Sequence, residues 1–464
     1  MQLSFRLRNA RVGRRFDLDP GAAYGEGAGM RTILLLALIA FAWPAEARLT
    51  REEQAMTANV DREADRNIAL LKRMVNRNSG TLNLAGVAAV GEMVRAELAP
   101  LGFEVRWADM HETGRAGHIV AVHRGNGRGK RILLIGHLDT VFEPDSPFQA
   151  FARAGTRATG PGVGDCKGGD VVLIAALRAM QAAGTLRDAD IMVVMTGDEE
   201  RPGTPLSVAR RDLIEAGRWA DVALEFENLA VENGRDFGTV ARRSATSWTL
   251  TAHGRSGHSS GVFGGELGYG AIYEMARILD GFRRELAEPN LTYNVGVIGG
   301  GTPATIDADG FRIAASGKTN ITAGTAIARG DIRALTPEQE ARVRARMQAI
   351  VAQHLPRTQA ELVFSEDGYP PMAPTAGNRA LLARLNGVNR DLGLPEMPEY
   401  DPAKRGAADS SFVAGDADIL AGMGAAGGNA HAEGEWIALD SLTRQAKRTA
   451  ILMTRLSREP RHTR

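Results

Sequence analysis

The chain has 464 residues, 44% of them apolar, enough to bury a sizeable core and to form about two to three domains at ~150 residues each. Its 56 basic and 55 acidic residues give a formal net charge of +1, which supplies no electrostatic case for nucleic acid as a partner. A single cysteine, Cys166, excludes an internal disulfide framework and any cysteine-rich zinc site.

The N-terminus reads as an export signal. Thr32 to Trp43 is an apolar run, Met30-Arg31 gives a charged start, and Ala45-Glu46-Ala47 fits a small-x-small cleavage site. The run is too short to span a bilayer as a helix. Residues 1–47 are therefore expected to be an upstream extension and signal peptide, with Met1 and Met30 both open as start sites. An uncut hydrophobic anchor is the alternative. The mature body is expected to begin near Arg48, to work in the periplasm or as a secreted protein, and to keep no stable membrane anchor after cleavage.

Residues 50–77 carry apolar side chains at helical spacing (Ala55, Val60, Ile68, Leu71, Met74, Val75), and Leu84 to Leu98 predicts a second helix closed by Pro100 and Gly102. Strand signals follow at Ile119–Val122, Ile132–Ile135, Ile191–Met195 and, more weakly, Val222–Phe226. A helix from Val171 to Ala183 follows the glycine turn Gly160-Pro-Gly-Val-Gly164. This alternation predicts an α/β fold with a mainly parallel sheet flanked by helices. Near Gly238 the pattern changes. Ser247–His253, Leu291–Ile298 and Ala326–Arg333 read as strands, and Tyr269–Phe282 and Pro337–His354 as helices. That block predicts a smaller inserted α+β domain. Pro370-Pro371 marks a return to α/β pattern, with Leu381–Leu392, Ala417–Leu420 and His431. The expected division is 48–238 and 369–464 for the two parts of a catalytic domain, with 239–368 inserted.

Ligands of such sheets gather at the carboxyl ends of strands, and several acidic and histidine residues stand there. Gly136-His-Leu-Asp-Thr-Val141 follows an apolar run, so His137 and Asp139 share a side, and the carboxylate can fix the imidazole that faces a metal. Asp165 lies between a glycine turn and Lys167-Gly168-Gly169, where a carboxylate can bridge two cations or simply cap a helix. Glu199 and Glu200 end another strand. Adjacent carboxylates in a tight loop diverge, so one can bind metal while the other takes a proton from an activated water. Glu225 and Glu227 alternate onto one side, and the pattern alone does not choose between them. His431 follows the turn Gly427-Gly-Asn-Ala430. As a set, two histidines and three or four carboxylates suit a pair of zinc ions sharing one bridging ligand.

These motifs together resemble the zinc exopeptidases that include glutamate carboxypeptidase, aminoacylase and succinyl-diaminopimelate desuccinylase, the glutamate carboxypeptidase branch most of all. The residues that carry the likeness are Gly136–Val141, Gly160-Pro-Gly-Val-Gly-Asp-Cys-Lys-Gly-Gly169, Gly197-Asp-Glu-Glu200, Phe226-Glu227 and Gly428-Asn-Ala-His431. The resemblance implies a zinc-exopeptidase fold with a lid and dimerisation domain, and two zinc ions per chain, with cobalt and manganese as alternatives. It implies Asp165 as the bridge, His137 and Glu227 at one site, and Glu200 and His431 at the other. Glu199 would be general base and then acid, and Asp139 would orient His137. It also implies a cis peptide between Asp165 and Cys166. In the inserted domain His258 would help hold the oxyanion in a neighbouring subunit's site, and Asn320 and Arg333 would hold the substrate's carboxylate, consistent with a homodimer. One segment departs from the pattern: where relatives often read Gly-Gly-Thr-Asp, this chain reads Gly406-Ala-Ala-Asp409 after Lys404-Arg405.

The expected activity is an exported metallohydrolase that cleaves a peptide or amide bond beside a free carboxylate. The alternatives are an N-acyl-amino-acid deacylase with the same site and, from another class, an exported solute-binding protein.

Overall fold

The apolar runs at Ile119–Val122, Ile132–Ile135, Ile191–Met195 and Val222–Phe226 pair within one six-stranded sheet of a computed structural model that describes residues 49–308 and 310–461. The signal-peptide reading falls outside the described residues. In spatial order the strands are Glu104–Asp109, Gly117–His123, Ile191–Thr196, Ile132–His137, Val222–Glu225 and Asp418–Leu420. The last four are mutually parallel, and the first two form an antiparallel edge. That edge has a local cause: a short link joins the two strands, whereas a parallel pair needs a crossover of a dozen residues or so.

Ile132–His137 is buried along its whole length, as a run without polar alternation demands. Its side chains divide between two cores. Ile132 and Leu134 join the larger one with the helices Arg51–Arg62, Ala64–Val75, Lys167–Ala182 and Leu439–Leu456. Leu133 and Ile135 join a smaller one with Leu213 and Ala216 of Arg211–Trp219. Each such side chain contributes about 1.5–3 kcal/mol of burial energy.

The predicted helical stretch at 50–77 is two helices broken at Glu63, the first begun by a Thr50–Glu53 capping box. The helix expected from Val171 starts earlier, at Lys167, directly after the glycine turn.

A second, antiparallel sheet is built from Thr292–Gly301, Thr325–Arg333, Thr246–Gly254 and Thr358–Phe364, in that spatial order. The helices Ala271–Glu285 and Pro337–Val351 cover it around a separate core that holds Trp248, Leu250, Ile278, Phe282 and Met347. The chain passes between the two sheets twice, and the two crossings pair with each other at Arg242 with Met372 and Ala245 with Tyr369.

Candidate metal centre

His137 is the last residue of its strand, Glu199 and Glu200 follow Ile191–Thr196, and Glu227 follows Val222–Glu225. All three positions are carboxyl ends of parallel strands. Asp165 precedes the helix Lys167–Ala182, and His431 lies between the short strands Gly427–Gly428 and Trp436–Ala438. Close approach of main chain makes this possible. A Cβ on Gly169, in the first turn of that helix, would lie 1.7 Å from the Phe226 carbonyl oxygen, so only glycine lets the turn sit against the Glu227 loop.

Two clusters result. One holds His137, Asp165 and Glu227, the other Asp165, Glu200 and His431, and within each the donor atoms lie within 4.8 Å of one another. Asp165 belongs to both. Its Oδ1 is 3.0 Å from Nε2 of His137, and its Oδ2 is 3.0 Å from Nε2 of His431. Glu227 Oε1 is 3.4 Å from the His137 nitrogen, and Glu200 Oε2 is 3.2 Å from that of His431. Glu225 is turned away, 2.6 Å from Arg242, with its Oε1 accepting the Ser410 N–H. Glu199 belongs to neither cluster, so the two adjacent glutamates diverge. The Asp165–Cys166 peptide is cis, and the Cys166 sulfur takes the His137 N–H at 3.2 Å, outside both clusters.

Asp139 sits behind His137. The imidazole Nδ1 is 3.2 Å from the Asp139 carbonyl oxygen and 3.4 Å from its Oδ1. The same carboxylate accepts the N–H groups of Glu199 and Glu200, both at 3.1 Å, and the Thr81 hydroxyl at 2.7 Å. One buried carboxylate thus aims both the imidazole and the acidic loop.

Two further supports carry no local sequence signal. Glu435 is buried and accepts three main-chain N–H groups from the bridging loop: Gly162 at 3.0 Å, Gly164 at 2.7 Å and Asp165 at 2.9 Å. Burial raises its pKa to about 7 against those hydrogen bonds. Glu435→Gln puts an amide N–H where a backbone N–H already points. Its metal affinity is expected to fall about 10- to 100-fold, as for other groups that orient ligands. Metal titration of the purified variant checks this, and an unchanged affinity would remove Glu435 from the site's support. Arg210 is the second, a fully enclosed guanidinium. It donates to Asp198 at 2.6 Å, to Asp409 at 2.8 Å and to the Tyr369 hydroxyl at 2.9 Å. Tyr369 in turn donates to the Glu199 carbonyl oxygen at 2.9 Å.

The crowding of carboxylates has an electrostatic cost. Burial chiefly, with the charges of Glu200 and Glu227, holds Glu199 well above the usual carboxylate range. Burial and the Asp165 charge push Glu200 up to about 7. Burial would raise Asp165 too, but hydrogen bonds from His137 and His431 hold it far below its ordinary value. Hydrogen bonds to Asp165 and Glu200 raise His431 to about 11. The cluster therefore calls for positive charge. Glu200 Oε1 is buried and meets no hydrogen-bond donor. Two imidazoles and three carboxylates, one shared, with an acceptor left open, fit a pair of divalent cations.

The three expected substrate contacts stand apart from these clusters. His258 is exposed and its Nδ1 is 2.8 Å from the Ser260 hydroxyl, the Asn320 carbonyl oxygen accepts the Ser259 N–H, and Arg333 donates to Asp331 at 2.9 Å. Among the described residues no hydrogen bond or ion pair joins any of them to the ligand clusters, because all three belong to the smaller sheet and its loops.

Comparison with known proteins bears on the same residues. Residues 133–455 match the family described as Peptidase family M20/M25/M40. Carboxypeptidase G2 of Pseudomonas sp. (strain RS-16) is 31% identical over 214 residues, covering 46% of this chain and 49% of that protein. A succinyl-diaminopimelate desuccinylase of Leptothrix cholodnii is 30% identical over 201 residues, covering 41% of this chain and 51% of that protein. The chain thus spans about half the length of the curated relatives it matches. In fold it is similar to a tripeptidase of Staphylococcus aureus, with a TM-score of 0.66 and 17% identity over 85% of this chain and 99% of that one. It is also similar to a dinuclear metal-binding peptidase of Bacillus subtilis, with a TM-score of 0.59 and 14% identity over 86% of this chain and 99% of that one. With most of its length matched, and with the clustered donors lying within the matched span, the chain belongs to peptidase family M20/M25/M40.

Proposed function

We propose that the chain is an exported dinuclear zinc hydrolase that cleaves a peptide or amide bond beside a free carboxylate, in the manner of a carboxypeptidase. One observation carries this reading: Asp165 is shared by two three-residue donor clusters, while Glu199 stands next to one of them without joining it. His137, Asp165 and Glu227 would hold one zinc ion, and Asp165, Glu200 and His431 the other. When bound, the pair supplies Lewis-acid polarisation of the substrate carbonyl and lowers the pKa of water toward ~7.

The chain's own residues do the rest. Glu199 accepts the proton of the attacking water at its carboxylate and returns it to the leaving amine. Asp139 holds the imidazole of His137 and the N–H groups of Glu199 and Glu200 in one frame. Asn320 and Arg333 orient the substrate's carboxylate, and Arg333 can do so with two parallel hydrogen bonds. His258, exposed and clear of its own chain's clusters, serves a neighbouring subunit in a homodimer, where it stabilises the oxyanion. A second reading, deacylation of N-acyl amino acids by the same groups, is favoured by the likeness to the desuccinylase.

Protein reconstituted with zinc, cobalt or manganese, offered a panel of dipeptides and N-acyl amino acids and read by mass spectrometry, separates the two readings. Hydrolysis is expected to be abolished by a chelator and restored by metal. Tight binding of a solute with no turnover under any metal would replace the enzyme with an exported binding protein.

A further inference from the structure

The segment Ala403–Gly406 lies beside the Glu227 loop and is ringed by cations, most of them already engaged. Arg242 donates to the Gly406 carbonyl oxygen at 3.0 Å and pairs with Glu225 at 2.6 Å. Arg243 donates to the Ala403 carbonyl oxygen at 2.8 Å and to the Thr292 hydroxyl at 2.9 Å. Lys404 pairs with Glu232 at 2.5 Å.

Arg405, like Arg243, pairs with no carboxylate among the described residues, but of these two only Arg405 reaches the Glu227 loop. Its Nη2 donates to the carbonyl oxygen of Asn228, the residue after Glu227, at 2.5 Å. Its Nε is enclosed and meets no acceptor. Among the described residues no carboxylate pairs with it. The charges of Glu227, Glu225 and Asp165 act on it while burial and the neighbouring Arg242 pull its pKa down to about 10, so it lies within electrostatic reach of the donor clusters. Those carboxylates are committed elsewhere, Glu225 to Arg242 and the other two to the clusters. A largely enclosed guanidinium without a counter-ion is unfavourable until an anion arrives.

A second guanidinium faces the same segment. A Cβ on Gly406 would lie 3.9 Å from Nη1 of Arg333, the arginine that ends Thr325–Arg333. The guanidiniums of Arg333, which ends a strand of the smaller sheet, and of Arg405, within the segment itself, therefore both lie at it. One is the arginine expected to hold the carboxylate beside the scissile bond, which leaves Arg405 for another.

We propose that Arg405 is a specificity-determining residue that receives a second carboxylate of the substrate, so that dicarboxylic substrates are selected over their neutral monoamides. This rests on the hydrolase reading above. The planar guanidinium suits the task, since it binds carboxylates through paired donors that an ammonium group lacks.

The test uses the full zinc-loaded chain carrying Glu199→Gln, so that ligands persist, with N-acetylglutamate and N-acetylglutamine as probes in calorimetry. N-acetylglutamate is expected to bind about 10- to 100-fold tighter, the worth of one charge-assisted pair. Adding Arg405→Ala is expected to erase the difference between the two ligands, and Arg405→Lys to keep part of it. Equal binding of the two ligands by the Arg405 protein overturns the proposal. So does a loss on Arg405→Ala that weakens both ligands alike, which marks a structural role. With wild-type Glu199, hydrolysis of Ala-Glu and Ala-Gln dipeptides adds a second readout, with the preference expected in KM more than in kcat. Absence of turnover on every substrate alongside a binding preference that depends on Arg405 would sink the hydrolase reading and support this one.

Discussion

Replacing Glu199 with glutamine is expected to lower kcat by about 10²- to 10⁴-fold, the usual share of a general base and acid, while metal content stays at the wild-type value. The separation of the two effects follows from geometry. Glu200 Oε2 lies 3.2 Å from the His431 nitrogen inside a donor cluster, whereas Glu199 lies outside both clusters and is held through its main chain. Its N–H goes to Asp139 and its carbonyl oxygen to Tyr369, and neither contact changes when the carboxylate becomes an amide. The same exchange at Glu200 should cost metal as well as rate. Metal analysis and steady-state kinetics on the two variants side by side decide the matter. Wild-type turnover in Glu199→Gln would end the assignment of the base, and lost metal would move Glu199 into the coordination set.

Arg210→Met is expected to destabilise the fold by about 3–5 kcal/mol, the range for breaking a buried ion pair from one side. Arg210 is fully enclosed, and it is the partner of two carboxylates, Asp198 and Asp409, that are themselves buried. Methionine fills the volume and leaves both acids without a counter-charge. Its rings of contact, Tyr369 and Phe412 at 5.8 and 5.6 Å from the guanidinium carbon, also lose a cation. Thermal or denaturant unfolding measures the loss. Since the same guanidinium supports Tyr369 and the Asp198 carbonyl beside Glu199, turnover should fall in protein that remains folded. Arg210→Met with unchanged stability would show that the two acids are neutral in the folded state, and the clamp would have to be abandoned.

The donor residues were legible because each ends an apolar run or a glycine turn that sequence pattern marks on its own. His137, Glu200 and Glu227 stand directly beyond strand cores, and periodicity locates those cores. Choosing Glu227 over Glu225 was beyond the pattern, because it depended on Arg242, a residue of the crossing that reaches back to claim Glu225. Glu435 and Arg210 were missed for the same reason, since their partners lie far away in the chain and meet them only after folding. The helix Leu439–Leu456 was missed although it is the longest in the described residues. Its buried face carries Gln445, Arg448 and Thr449 among the apolar positions, which blurs the helical period. The strand Thr358–Phe364 and the edge strand Glu104–Asp109 alternate clearly but are short and only half-buried, so their apolar signal is thin.

The paired crossings between the two sheets have a mechanical meaning. Tyr369 stands in one of them, locked by main-chain pairing to Ala245 in the other, and its hydroxyl holds the peptide of Glu199. A twist of the smaller sheet about this double strap would pull on the carbonyl of Glu199, the proposed proton acceptor. The strap thus ties the main chain of Glu199 to the smaller sheet through one hydroxyl and one pair of bridged residues.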